Sequence, residues 1–378
     1  MTPKTFLGLA GAAVLAVAAA GAALVADFRS LTASAAGAGK PAFPALANPD
    51  NAARVIVKAP AFNLDLVRQG DKWLMADRGN YPVHASAVAQ IVGGLSQMKL
   101  YEPKTNNKDW FKEVQVDDPG TTGSKAALIT VNGKGGEPLA NTIVGIRSRS
   151  IGANPLGGTF IRAPGENQAW LAEGTVTLPD DFTGWFDQIV HIPGPDVIRI
   201  SIVEDGKLVF KAVKRNDAAQ TFGLTDLAEK YGDQSQLVAI DSAVKLLDLG
   251  IVSTTFDDVK AVTDIPFGTN DRVVRFETRD GMTLELQLYK APDGKIWVKY
   301  AATTDSGAAD AARAKEITNN TKGFAFLLPK YRTDPLLVGI NTLVQPAPPP
   351  EVEKPAQRTG PRIEDIPVVR PPARLTPR

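Results

Sequence analysis

The sequence predicts an α+β fold: two tandem repeat units, each an antiparallel sheet made of a hairpin plus a meander with a helix packed on one face, after an N-terminal transmembrane helix. Three observations predict it. Short runs alternate apolar and polar residues and are separated by turn dipeptides, the period of half-buried strands. One stretch at helical spacing falls at the same place in each half, and both stretches contain Ser-Ala-Val, at 86–88 and 242–244. Residues Phe6 to Ala26 form a run of 21 without a charge or a hydroxyl.

Composition narrows the function classes. The chain has 378 residues, 44 % hydrophobic and 22 % charged, enough apolar material for cores of about 100–200 residues each. Its 42 basic and 41 acidic residues leave a net charge of +1, without the basic excess of a nucleic-acid binder. There is no Cys, which excludes disulfides, thiolate zinc sites, iron–sulfur clusters and Cys nucleophiles. Two His, His84 and His191, are too few for a His-rich metal site. No cofactor is expected.

The elements follow in order. Segment 1–30 reads as a signal-anchor, because 21 apolar residues at about 1.5 Å each span the hydrocarbon core of a bilayer. A cleavable signal is the alternative, with Ala33-Ser34-Ala35 as the small-residue site, although its apolar core is usually shorter, about 7–15 residues. Segment 31–50 is a flexible tether rich in Ala, Gly, Pro and Ser.

The first unit, 51–192, opens with strands at Arg54–Ala59 and Phe62–Arg68, a turn at Gln69-Gly70-Asp71 and a return at Lys72–Ala76. A helix is expected over Ser86–Leu100, with Ser86 as N-cap and Val88, Ile91, Val92, Leu95 and Met98 on one face. Gly93-Gly94 weakens this helix and lets it lie close against a sheet. Strands follow at Ala126–Val131, Leu139–Arg147, Thr159–Arg162 and Gln168–Ala172, then a short helix at Leu178–Ile189.

The second unit, 193–345, begins after the breaker Ile192-Pro193-Gly194-Pro195. It repeats the hairpin (Val197–Val203 and Lys207–Val213 about Asp205-Gly206), a helix at Asp241–Leu249, and strands at Arg272–Thr278, Met282–Tyr289 and Lys295–Tyr300. Segment 346–378 reads as a disordered tail. From Gln345 onward ten of 34 residues are Pro, too many missing amide donors for regular structure.

The layout of one N-terminal span resembles the domain-of-unknown-function family 4340. So do Lys72-Trp73-Leu74 before a helix, Val114–Pro119 before a strand, and Thr159-Phe160-Ile161-Arg162 with Trp170-Leu171. The Trp185 segment ending at Ile192-Pro193 and the run Gly323–Pro329 complete the likeness. Where that family often carries Tyr-Gly-Leu before Asp-x-Pro, this chain has Glu113-Val114-Gln115-Val116. The resemblance implies a membrane-anchored protein with an extracytoplasmic body, some members being associated with gliding-motility-type ABC transporters. It implies no catalytic residues.

Catalytic patterns are weak. Ser242-Ala243-Val244-Lys245 fits S-x-x-K without the S-D-N and K-T-G that accompany it in penicillin-interacting enzymes. The pairs Asp117-Asp118, Asp180-Asp181 and Asp257-Asp258 point to opposite faces if extended, so caps and turns explain them better than an acid/base dyad. No P-loop is present. The five Trp read as core. The one binding candidate is the polar, Gly-bearing stretch 147–158, where Arg147 and Arg149 share a side and suit an anionic group. The sequence thus leads us to expect a non-enzymatic accessory or scaffold protein. It would be anchored once in the inner (cytoplasmic) membrane with its body in the periplasm or outside the cell, and partnered by membrane-protein subunits of an ABC-transporter-type complex. The alternative is an extracytoplasmic module binding a glycan, peptide or lipid.

Overall fold

The computed structural model describes residues 37–149, 151, 157–216, 220–305, 307, 309 and 311–349. The expected membrane run and nearly all of the Pro-rich tail lie outside the described residues. Among the described residues no helix is long and apolar enough to cross a membrane.

The first half carries β1 (Arg54–Lys58), β2 (Asn63–Gln69), β3 (Lys72–Met75), β4 (Tyr81–Val83), α1 (Ala85–Gln97), β5 (Lys99–Thr105), β6 (Ala127–Asn132), β7 (Pro138–Ser148), β8 (Gly158–Arg162) and β9 (Ala169–Glu173). The second half carries β10 (Val197–Glu204), β11 (Lys207–Lys214), β12 (Phe222–Leu227), β13 (Leu237–Ala239), α2 (Asp241–Leu246), β14 (Asp258–Ala261), β15 (Arg272–Thr278), β16 (Met282–Lys290), β17 (Ile296–Thr304), α3 (Ala311–Thr321), β18 (Phe324–Leu327), α4 (Lys330–Thr333) and β19 (Val344–Pro346). The protein is sheet-rich, with a few helices and antiparallel sheets. The first sheet runs β4-β3-β2-β1-β6-β7-β8-β9-β5, the second β12-β11-β10-β15-β16-β17-β18-β14, and β13 pairs with β19.

Local chemistry explains the turns that were legible. Asp205 and Gly206 both take positive φ, 50° and 72°, the conformation that a two-residue hairpin requires. In α1 the expected face is buried: Val88, Ile91, Val92 and Leu95. Its N-cap is His84 rather than Ser86, and the cap makes no side-chain hydrogen bond. Gly94 packs where a Cβ would lie 2.4 Å from the Thr175 carbonyl oxygen, so the close approach is to the segment after β9 rather than to a strand.

Other expectations need correction. The helix proposed for 178–189 is a single 3-10 turn, Phe182–Trp185, entered through Asp181, whose carboxylate accepts the Thr183 amide at 2.8 Å. The second-half helix stops at Leu246 and gives way to a 3-10 turn, Leu247–Gly250. The chain stays paired through Pro346, opposite Leu237. A proline is tolerated there because β19 is short and terminal.

The Pro-Gly-Pro breaker does not separate two cores. One apolar cluster runs through both sheets and includes Val55, Ile91, Trp185, Ile192, Phe256 and Phe326. Its hinge is aromatic: Tyr81, the first residue of β4, meets Phe186, Phe256, Phe324 and Phe326 edge-on at 4.9–6.0 Å. Phe186 stacks on Phe256 at 3.9 Å. Such ring pairs contribute about 0.5–1.5 kcal/mol each beyond area burial. Arg78, in the β3–β4 turn, reaches across to Asp258 of β14 at 2.8 Å and covers the Phe182 ring. Ile189 and Thr254 close the joint with backbone hydrogen bonds, Ile189 N–H to Thr254 O at 3.0 Å and Thr254 N–H to Val190 O at 2.8 Å.

Candidate functional site

A cleft built around a buried cation lies at one end of β8, β9 and β5. β8 delivers Arg162 at its last position, and β5 runs out at Thr105 into the 3-10 turn Lys108–Trp110. The Arg162 side chain is only 3 % exposed. Its Nε donates to the Val116 carbonyl at 2.7 Å, one terminal nitrogen donates to the Glu166 carbonyl at 2.8 Å, and the other pairs with the Asp118 carboxylate. The guanidinium carbon sits 4.6 Å from the centre of the Phe111 ring. A planar fork that bonds along its edge while stacking on its face is a role lysine cannot fill. Two sequence-distant motifs, Val114–Pro119 and Thr159–Arg162, thus meet through one buried cation.

Around this clamp is a hollow of about 530 Å³, lined among others by Lys108, Asp109, Lys112, Asp117, Glu166 and Asn167. Asp117 is 8 % exposed, and its Oδ2 has no hydrogen-bond partner. A buried carboxylate oxygen without a donor is costly. The hollow therefore offers an acceptor at Asp117 and donors at Lys108, Lys112 and Asn167, which suits a polar ligand of balanced charge. Trp110, on the turn that supplies Lys108 and Asp109, is 60 % exposed and departs from the core role expected of each Trp. Trp73, Trp185 and Trp297 are buried as expected.

The other candidates are dispersed. Arg147 and Arg149 stand exposed at the far end of β7, away from this cleft. Lys245 pairs with Asp241 one turn back at 2.7 Å, so the S-x-x-K lysine answers a carboxylate instead of Ser242. His84 Nε2 lies 3.5 Å from Asp187 and lines a separate cleft of about 420 Å³ with Ser86. His191 Nδ1 is 3.0 Å from the Ser253 hydroxyl. Of the carboxylate pairs, Asp118 holds Arg162, Asp181 caps its 3-10 turn, and Asp258 holds Arg78. Burial, and then the adjacent Asp258, raise the pKa of Asp257. Among the described residues no group of three or more His, Asp or Glu could hold a metal ion.

Periodicity did not reveal a buried ion system in the second half. Lys214 is 9 % exposed, donates to the Gly194 and Pro195 carbonyls at 3.4 and 3.2 Å, and lies over the Phe222 ring. Burial lowers its pKa. Burial pushes the Asp248 carboxyl up to about 7 against the pull of Lys214 and Lys245. The sequence signal was a lysine on the apolar side of an alternating strand, Lys207–Lys214.

No curated protein and no solved structure matches the chain. The family described as "Domain of unknown function (DUF4340)" matches residues 73–266, from β3 to just past β14 and through both motifs that Arg162 joins. That is more than half of the chain's 378 residues, and the protein belongs to the DUF4340 family.

Proposed function

We propose that this protein is a non-catalytic accessory or scaffold protein. A single N-terminal helix anchors it in the inner membrane, and its extracytoplasmic body serves an ABC-transporter-type membrane complex. The observation that carries the reading is the pairing of a 21-residue uncharged apolar run with a body whose two sheets share one aromatic joint. Such a body presents fixed surfaces within a tether's reach of a membrane. The two halves are tandem copies in this reading. Its support is strand order: β3-β2-β1-β6-β7-β8-β9-β5 corresponds position by position to β12-β11-β10-β15-β16-β17-β18-β14, with β4 as an addition.

Alkaline carbonate extraction of membranes tests the anchor. The full chain stays in the pellet with its N-terminus intact by mass. A soluble product starting near Ala36 refutes the anchor and establishes the cleaved signal. A second reading, a module that binds a glycan, peptide or lipid, draws on the Asp117 carboxylate oxygen without a hydrogen-bond partner in the hollow beside Arg162.

A further inference from the structure

The chain enters the body at the end of the first sheet that holds the Arg162 cleft. Gly39 N–H donates to Leu100 O at 2.7 Å, Leu100 N–H to Lys40 O at 3.0 Å, and Ala42 N–H to Met98 O at 2.8 Å, so residues 39–42 run antiparallel along the outer edge of β5. Pro41 lies opposite Lys99, and a Cβ at Gly37 would fall 2.8 Å from the Trp170 ring. Going back from Pro41 to Gly37 therefore leads toward Thr105, where β5 runs out into the 3-10 turn Lys108–Trp110. Trp170 pairs with Ile161, the neighbour of Arg162, so Gly37 and the Arg162 side chain share this end of the sheet on opposite faces.

From Ala26, where the apolar run ends, to Gly37 is eleven residues, a reach of at most about 40 Å. In the anchor reading this end of the sheet is therefore the one held nearest the bilayer. Trp110 stands 60 % exposed on the turn there, and an indole ring favours the headgroup level of a membrane.

The hollow beside Arg162 has its charges in layers. Asp117 is buried, and its Oδ2 accepts no hydrogen bond. Lys108 and Lys112 are exposed. Groups that attract an anion thus stand at the mouth, and an acceptor short of a donor lies at the floor. Asp118 is engaged by Arg162, which leaves Lys108 and Lys112 against Asp109, Asp117 and Glu166, one carboxylate in excess. A ligand meets this arrangement with an ammonium at its tip and a phosphate behind it. A phosphate tip would put its charge against the buried carboxylate, and a quaternary ammonium has no N–H to give the unpartnered oxygen. Phosphatidylethanolamine presents the required order outward from a bilayer, phosphate first and a primary ammonium two carbons beyond it.

We propose that the hollow beside Arg162 holds the headgroup of phosphatidylethanolamine. Its ammonium donates to Asp117 at the floor, its phosphate sits by Lys108 and Lys112 at the mouth, and its acyl chains stay in the membrane. The proposal rests on the anchor reading above and names a ligand for the binding reading. The shared chemistry is a phosphate joined through two carbons to a primary ammonium, which soluble phosphoethanolamine also carries, and the source is the bilayer.

Native mass spectrometry tests this on the full chain in mild detergent, equilibrated with equal amounts of phosphatidylethanolamine, phosphatidylcholine and phosphatidylglycerol. Adducts of phosphatidylethanolamine exceed those of either other lipid about tenfold, the worth of one hydrogen bond to a charged group. Asp117→Asn brings the ratio to phosphatidylcholine close to one. The double variant Lys108→Gln, Lys112→Gln alters only exposed side chains, so it keeps the fold, and it lowers phosphatidylethanolamine retention severalfold. Equal retention of phosphatidylethanolamine and phosphatidylcholine, a preference for phosphatidylglycerol, or parent-like retention in both variants overturns the proposal while the anchor stands. Displacement of the lipid by an equal concentration of soluble phosphoethanolamine overturns the bilayer as the source. Release of the full chain by alkaline carbonate overturns the anchor, and with it that source.

Discussion

Gly93 and Gly94 sit side by side in α1 and face opposite fates on methylation. A Cβ at Gly93 meets nothing within 4 Å, whereas a Cβ at Gly94 falls 2.4 Å from Thr175 O and 3.4 Å from the Val176 Cα. Both substitutions gain the helix propensity of Ala over Gly, about 0.8–1.0 kcal/mol. Gly93→Ala keeps that gain. Gly94→Ala must push back a backbone carbonyl in the segment that ties α1 to β9, an overpacking cost of about 1–3 kcal/mol. The two variants therefore differ by about 1–3 kcal/mol, with Gly93→Ala above the parent and Gly94→Ala at or below it. Urea unfolding of the full chain in mild detergent, with equal m-values, reads the difference as a shift in midpoint. Two variants stabilised equally would refute the close approach of α1 to residues 175–176.

Arg162→Met removes four partners and leaves Asp118 without its cation. The exposed Asp118 returns to water, while the Val116 and Glu166 carbonyls lose their donor, so the variant costs about 1–3 kcal/mol by denaturation, and Arg162→Lys recovers only part because it cannot fork and stack together. Asp248 titrates near 7 when folded and near 3.8 when exposed, so the folded state holds the extra proton between those values. Stability accordingly falls as pH rises from about 4 to 7 and is level above, at up to about 1.4 kcal/mol per pH unit, and Asp248→Asn flattens that slope in pH-dependent unfolding. Deleting residues 350–378 changes the unfolding free energy by well under about 1 kcal/mol, since a sequence so rich in proline is expected to remove little apolar surface from water. A loss of several kcal/mol would show that the tail packs on the body.

Strand pairing was legible where alternation and a turn signal coincide, as in β10–β11 with Asp205-Gly206 and in β15–β16 with Asp280-Gly281. It was illegible where burial is partial. β5 (KLYEPKT) has a proline and mostly exposed residues, and β12 and β14 are edge strands of mixed polarity. The helix α3 (AARAKEITNNT) buries only Ala314, Ile317 and Thr321, too thin a stripe to stand out from its polar surroundings. The joint between the halves was hidden for a different reason. Tyr81 and Phe256 are 175 positions apart in the sequence, and nothing in a local window says that they touch. The same holds for the cleft, because Asp117 and Arg162 are unremarkable singly and acquire meaning only when β8 ends beside the 111–118 loop.

The central claim is that the protein serves a membrane complex. Affinity capture of the full chain from membranes in mild detergent, with mass spectrometry of what it holds, tests that claim most directly. The account predicts recovery of an integral membrane subunit of an ABC-transporter-type complex at near-stoichiometric yield. Recovery of the chain alone with a bound small molecule, lost on Asp117→Asn, would contradict it and establish the binding-module reading instead.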